Sequence, residues 1–211
     1  KQPVHAWGEI YTGISAKDYM DGTSNFYGVH SVTLYVDSVQ VFNSTTDKVL
    51  PDENRMINGF TDYEELTRTR RLIMRSYKLP CNRLRLLHTN ENRGAVTIDE
   101  ERDYHFRYVL EDNFGNRRTY QFTVKGKRQD IPEYKPEANE MLYWNRNNVI
   151  QKPGMELVVP RYYVYEDVPL RTDMRGDSSR IAFDYILDAG RTPIHSYCDC
   201  LLYTSPSPRD R

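Results

Sequence analysis

Residues 103–124 read D-Y-H-F-R-Y-V-L-E-D-N-F-G-N-R-R-T-Y-Q-F-T-V, and this stretch decides the fold. Tyr104, Phe106, Tyr108 and Leu110 fall on every second position, as do Tyr120, Phe122 and Val124. Strand side chains point alternately to opposite faces, so each run presents one apolar side. Between them, Glu111 to Asn116 gathers Asp, Asn and Gly, residues that close a hairpin loop.

The same grammar recurs upstream. In Val29 to Phe42, Val32, Leu34 and Val36 alternate, Asp37-Ser38 makes a tight turn, and Val39, Val41 and Phe42 form a return strand. Trp7 to Ala16 places Ile10, Thr12, Ile14 and Ala16 on one side of a strand, and Lys17 to Gly28 is a turn-rich connection. After the hairpin, Asn43 to Gly59 is polar. Thr61 or Asp62 then caps a short helix whose first turn carries Glu64 and Glu65. Leu72 to Leu79 and Arg83 to Leu87 read as strands separated by Pro80-Cys81-Asn82, and Gly126 closes the unit.

From Lys127 to Pro136, charge combines with two prolines and no periodicity, which predicts a linker. Beyond it Leu157 to Pro160, Tyr162 to Tyr165 and Ile181 to Leu187 read as short strands of a second β unit. The expectation is an all-β chain: a β-sandwich domain over residues 1–128 with a short helical insertion, a linker over 129–138, and a truncated second β unit over 139–199.

The final residues, 200–211, break the composition abruptly and resemble the translation of a transposase sequencing adapter. The natural sequence is therefore expected to end near Asp199. The chain opens on Lys1 without a leader-like pattern, which predicts an internal fragment.

Charge excludes some partners. Lys and Arg number 29 against 30 Asp and Glu, a formal charge of -1 and a pI near 6.6, so no broad basic field attracts nucleic acid. No apolar run approaches the roughly 20 residues of a spanning helix. Mean hydropathy is -0.76, yet there are 17 tyrosines, whose rings stack across strands while their hydroxyls stay wet.

Residues 7–42, with the turn Ala16 to Asn25, the run Val32 to Asp37 and then Val41-Phe42, resemble bacterial immunoglobulin-like modules. Arg93-Gly94, Glu100 to Phe106, Asp112 to Asn116 and Gly126 to Gln129 narrow the match. Together they resemble the region that follows the catalytic domain in lysostaphin-type (LytM-like) zinc metallopeptidases of Gram-negative envelopes. The resemblance implies an immunoglobulin-like first domain and a periplasmic or cell-envelope location. It implies a parent enzyme that hydrolyses peptide cross-links of peptidoglycan, with an upstream peptidase domain as partner and peptidoglycan as a possible second one. That parent's zinc is held by an H-x-x-x-D element and a later H-x-H element. A stand-alone adhesion or carbohydrate-binding module is the alternative reading.

The catalytic elements are not carried onto this chain. Four residues after His5, His30, His88 and His105 stand Glu9, Leu34, Asn92 and Val109, and no H-x-H occurs. His195 has Asp199 at that offset, but it abuts the adapter-like tail. His195, Cys198 and Cys200 have metal-like spacing, with Cys200 inside that tail. Asp18, Asp21, Asn25 and Asp37 are read as an Asx-turn network rather than a calcium site. Arg68, Arg70, Arg71, Arg75, Arg83 and Arg85 are read as a solvated face. Cys81 and the serines lack a motif that would activate a nucleophile. No catalytic, cofactor-binding or metal residue is assigned, and zinc is expected only in the parent's other domain.

Overall fold

The computed structural model describes residues 3–19, 22, 25–133, 135–176 and 183–203; over these the chain is all-β, with helices confined to 51–69. It divides into two units, Lys1–Glu133 and Tyr134–Arg211. The strands of the first are β1 (Val4–Ala6), β2 (Gly8–Ile10), β3 (Gly13–Ile14), β4 (Asp18–Tyr19), β5 (Phe26–Tyr27), β6 (Ser31–Val36), β7 (Val39–Thr45), β8 (Met74–Arg75), β9 (Leu87–Thr89), β10 (Val96–Ile98), β11 (Asp103–Glu111) and β12 (Arg117–Gly126).

Six of these form one sheet in the order β1-β12-β11-β6-β7-β9. Its centre is the pair of hairpins expected from the sequence. Phe106 faces Phe122 across β11 and β12, Tyr108 faces Tyr120, and β11 pairs β6 with Tyr108 opposite Leu34. Asp37 and Ser38 both take positive φ, 49° and 70°, the geometry of a type I′ turn, which suits the right-handed twist of the strands it joins. A bulge follows: Leu34 pairs with Phe42 but Tyr35 with Gln40, so Val41 is the extra residue and both Val41 and Phe42 turn inward. All neighbours are antiparallel except β1, which runs parallel to β12.

Facing the core, β2 pairs with β10 and β3 with β8. The single strand expected from Trp7 to Ala16 is thus two pieces, because the segment passes from one partner to another. Its period survives: Ile10, Thr12, Ile14 and Ala16 are half-buried while Glu9, Tyr11, Gly13 and Ser15 are exposed. Val32, Leu34, Phe42, Leu84, Ile98, Phe106 and Val124 fill the interior against Ile10, Ile14 and Met74.

Two expected strands are shorter than the pattern suggested. Of Leu72 to Leu79 only Met74–Arg75 pairs, because the next amide, Ser76, bonds the Thr12 carbonyl at 2.8 Å and Lys78 bonds that of Arg93 at 2.8 Å. Of Arg83 to Leu87 only Leu87 is strand, since the Asn82 side chain accepts the Leu84 amide at 3.0 Å and holds a turn. The helical insertion comprises a 3-10 turn (Pro51–Met56), α1 (Ile57–Phe60) and α2 (Tyr63–Thr69). Asp62, one of the two expected caps, accepts the Glu65 amide at 3.1 Å, and Arg70 ends the helix at φ 62°.

Glu53 staples that insertion to the turn before β9. It is buried and receives Arg85 Nε at 2.8 Å together with the Leu50 and Arg85 amides. The Arg85 guanidinium holds its carboxyl below the ordinary range, and the two amides add to this against the opposing effect of burial.

The second unit contains β13 (Glu140–Leu142), β14 (Asn148–Lys152), β15 (Met155–Val159), β16 (Val168–Arg175), β17 (Asp184–Asp188) and β18 (Asp199–Leu202). They form two three-stranded sheets, β13-β16-β17 and β14-β15-β18, around Leu142, Ile150, Leu157, Val159, Val164, Val168 and Leu170. The expected strand at Tyr162 to Tyr165 is instead turn and bend, with Tyr162 at φ 69°. Pro169 sits inside β16 without cost because β13 alone flanks residues 168–170 while β17 pairs only from Arg171 onward. Buried Asn148 donates to three carbonyls, of Tyr143, Arg146 and Val159, and accepts the Tyr143 amide at 2.8 Å. Strand β18 lies along β15 with Cys200 opposite Leu157. Residues 181–182 of the expected strand Ile181 to Leu187 lie outside the described residues.

Candidate functional site

One concavity in the first unit lies along β12. Only Val124–Gly126 of β12 is flanked by β1. Beyond that pairing, beside residues 120–123, opens a cleft of about 660 Å³. Its inner wall is Ile14, Tyr108 and Phe122, its mouth is flanked by Pro3 and Tyr120, and Gln121, Thr123 and Lys125 line it from the other face of β12.

Behind the wall sits a buried polar triad. Ser76, fully inaccessible, lies 2.7 Å from the Tyr108 hydroxyl, which donates to Thr12 Oγ1 at 2.9 Å. Burial pushes the Tyr108 hydroxyl pKa up, and the bonds to Ser76 and Thr12 act in the opposite direction. A neutral tyrosine thus joins the segment between β2 and β3 at Thr12, the segment after β8, and the central sheet. Phe122 stacks on Phe106, centroids 5.0 Å apart, so the apolar side of the wall is also fixed.

At the Gly126 end of β12 a second network sets the strand's position. The Tyr104 hydroxyl accepts the amides of Asp99 and Glu100 at 3.3 and 3.1 Å. Arg102 lies 3.7 Å over the Tyr104 ring and bonds Glu100 at 2.8 Å and Asp37 at 2.7 Å. The other Asp37 oxygen accepts the His105 amide at 2.9 Å. Burial raises the Asp37 pKa, but the His105 amide and the Arg102 guanidinium outweigh it and hold the carboxyl low. Gly126 crosses so close to Glu100 that an added Cβ would meet its carbonyl oxygen at 1.9 Å.

The residues weighed in the sequence are dispersed. Asp37 is committed to Arg102 and His105, Asp18 lies in β4 opposite Tyr27, and Asp21 lies outside the described residues. His195 sets its ring edge-on to Tyr165 at 4.9 Å, Cys198 packs against the second unit's core, and Cys200 is exposed on β18. Among the described residues no three His, Cys, Asp or Glu side chains gather as a metal-holding group. Of the arginine run, Arg68 pairs with Glu65 and Arg85 with Glu53, Arg70 ends α2, and Arg75 lies 5.6 Å from the Tyr77 ring centre. Cys81 is buried, and burial raises its thiol pKa.

Sequence reading missed the cleft, which no single segment encodes. One signal was visible: the segment Arg117 to Arg128 carries Arg117, Arg118, Lys125, Lys127 and Arg128 and no acidic residue.

Among known families, residues 139–210 match the Zu5-like domain, a span that covers most of the second unit and runs past Asp199. No curated protein matches the chain.

Proposed function

We propose that this chain is a non-catalytic accessory β region of a lysostaphin-type cell-wall metallopeptidase, supporting and positioning a peptidase domain encoded elsewhere in the parent chain, in the periplasm or cell envelope. The observation that carries this reading is what the resemblance-bearing residues do. Asp37 and Glu100 hold Arg102, the Tyr104 hydroxyl binds the backbone at Asp99 and Glu100, and Asp112 accepts the amides of Phe114 and Asn116 at 2.8 Å each. Gly126 permits the close crossing at Glu100. The motif is spent on scaffold geometry, as expected of a positioning module.

The strand order supports an immunoglobulin-like assignment for the first unit. In variable-type domains the sheet holding the last two strands also holds the third strand and its two successors. Here β12, β11, β6, β7 and β9 stand in that order. Tyr104, near the start of β11 and bonded to backbone four and five residues upstream, occupies the place of a tyrosine corner.

The test is to compare the parent enzyme with and without residues 3–203, on intact wall sacculi and on a short soluble cross-link peptide. Loss of sacculus hydrolysis with peptide cleavage retained supports the reading. Equal loss on both substrates, or none, refutes it. A stand-alone carbohydrate-binding module is the second reading, favoured by Phe114, which is 92% exposed at the tip of a hairpin loop locked by Asp112. The reading frame upstream of Lys1 separates the two: H-x-x-x-D followed by H-x-H supports the peptidase.

A further inference from the structure

The outer face of the six-stranded sheet carries charge that its own neighbours leave uncompensated. Phe106 and Phe122 turn toward the core and stack on each other, so by alternation His105, Arg107, Gln121 and Thr123 share the outer side of β11 and β12. The cross-strand pairs on that side are Asp103–Lys125, His105–Thr123, Arg107–Gln121, Val109–Thr119 and Glu111–Arg117. Opposite charges face each other at both ends, and Arg117 Nε lies 2.7 Å from the Glu111 carboxylate. In the middle, His105 and Arg107 face neutral partners.

A hollow of about 330 Å³ lies at this midpoint. Its floor is the strand pair at Phe106 and Phe122, and Ser38 of the β6–β7 turn borders it with His105, Arg107, Gln121 and Thr123. All five of these side chains can donate a hydrogen bond, and none is acidic. Arg107 is already oriented, its guanidinium carbon 4.2 Å from the centre of the Tyr35 ring. Its N–H groups make no hydrogen bond or ion pair among the described residues. Thr123 Oγ1 lies 3.5 Å from His105 Nδ1, which ties the imidazole to β12 through one nitrogen. Asp37, the carboxylate next to Ser38, is spent on Arg102 and the His105 amide.

We propose that this hollow binds the carboxylate of a hydroxylated ligand, an acidic sugar unit. The planar fork of an arginine meets a carboxylate with two parallel N–H bonds. One permanent cation among neutral donors balances a monoanion better than a phosphate dianion. The hollow is much larger than a carboxylate alone, and Ser38, Gln121 and Thr123 offer the donors and acceptors that sugar hydroxyls take. It lies on the face of the sheet between two strands paired from Asp103–Lys125 to Glu111–Arg117, so chain running along the outer edge of β12 would leave it open. The site goes beyond the accessory role and is independent of it: it would operate equally in a peptidase subunit or a stand-alone module.

The experiment titrates the whole chain, labelled with nitrogen-15, against glucuronate, glucose, acetate and inorganic phosphate at constant ionic strength, and follows the amide shifts by NMR. Glucuronate is expected to move the amides of Ser38, His105, Arg107, Gln121 and Thr123 saturably in the millimolar range, as befits an open site. Glucose and acetate, each lacking one half of the ligand, should bind about ten-fold or more weakly. Gln121→Glu sets a carboxylate opposite Arg107 and should weaken glucuronate binding by about ten-fold. Gln121→Arg adds a second guanidinium and should tighten it, a gain that misfolding could not produce. Absence of saturable shifts at these amides by about 100 mM overturns the proposal. So does binding of glucose, acetate or phosphate as tightly as glucuronate, or an affinity that either Gln121 variant leaves unchanged. None of these results bears on sacculus hydrolysis by the parent enzyme, so the two proposals fail separately.

Discussion

Replacing Tyr108 with phenylalanine removes one oxygen and nothing else from the centre of the first unit. That oxygen lies 2.7 Å from Ser76 Oγ and donates to Thr12 Oγ1 at 2.9 Å. The ring keeps its place opposite Leu34 and Tyr120, so no cavity larger than a hydroxyl is made. The cost comes from the partners. Ser76 is wholly inaccessible and no water reaches its hydroxyl, so it loses its side-chain bond and stays desolvated, which costs about 1–3 kcal/mol. Thr12 is half-buried and can turn to solvent, adding little. We expect Tyr108→Phe to lower the urea midpoint by that free energy divided by the m-value, with the m-value itself unchanged, as for a change in stability rather than in compactness. Ser76→Ala in the same background should cost much less than Ser76→Ala alone, because the orphaned hydroxyl is then gone. Strict additivity of the two changes, or a loss under about 0.5 kcal/mol for Tyr108→Phe, would refute the claim that this triad ties the two sheets.

Other outcomes follow from the same packing. Phe106→Ala should cost about 3–5 kcal/mol in denaturant titration, since Phe106 is almost wholly buried and stacked on Phe122. Gly126→Ala should be more damaging than an ordinary over-packing change of about 1–3 kcal/mol, because the obstacle is the Glu100 backbone rather than a side chain that can move; soluble yield and thermal melting read this. Asp37 has a folded pKa below its unfolded one, so its contribution is present above the ordinary carboxylate range and is lost as pH falls through the depressed folded value. Asn at this position tolerates φ 49° but cannot ionise, so Asp37→Asn should flatten the acid limb of stability against pH between the two values. Isolated residues 1–133 should unfold in one transition by both near- and far-ultraviolet dichroism.

The hairpins were legible because period-two runs of Val, Leu, Tyr and Phe are bounded by residues with one conformational role. Asp37-Ser38 and Asp112 to Asn116 announce turns in any context. Strands of two or three residues were not legible, since a period needs several repeats to register. Met74–Arg75 is a strand only because Gly13 and Ile14 lie beside it, and the adjoining Ser76 turns inward to Tyr108. In the second unit Pro169 argued against β16, and only the staggered ends of β13 and β17 make it permissible. Tyr162 to Tyr165 carries high strand propensity that tertiary context overrides, with the Tyr162 amide bonding the Trp144 carbonyl at 2.7 Å. The cleft was illegible for a further reason: its walls come from residues 3–4, 12–14, 108, 120–123 and 125, so it exists only once register is set.

The site and the core are one construction. Tyr108 presents its ring to the cleft and its hydroxyl to Ser76 and Thr12, while Phe122 borders the same cleft and stacks on Phe106. Both wall residues are therefore held by contacts that must form for the sheet to form at all.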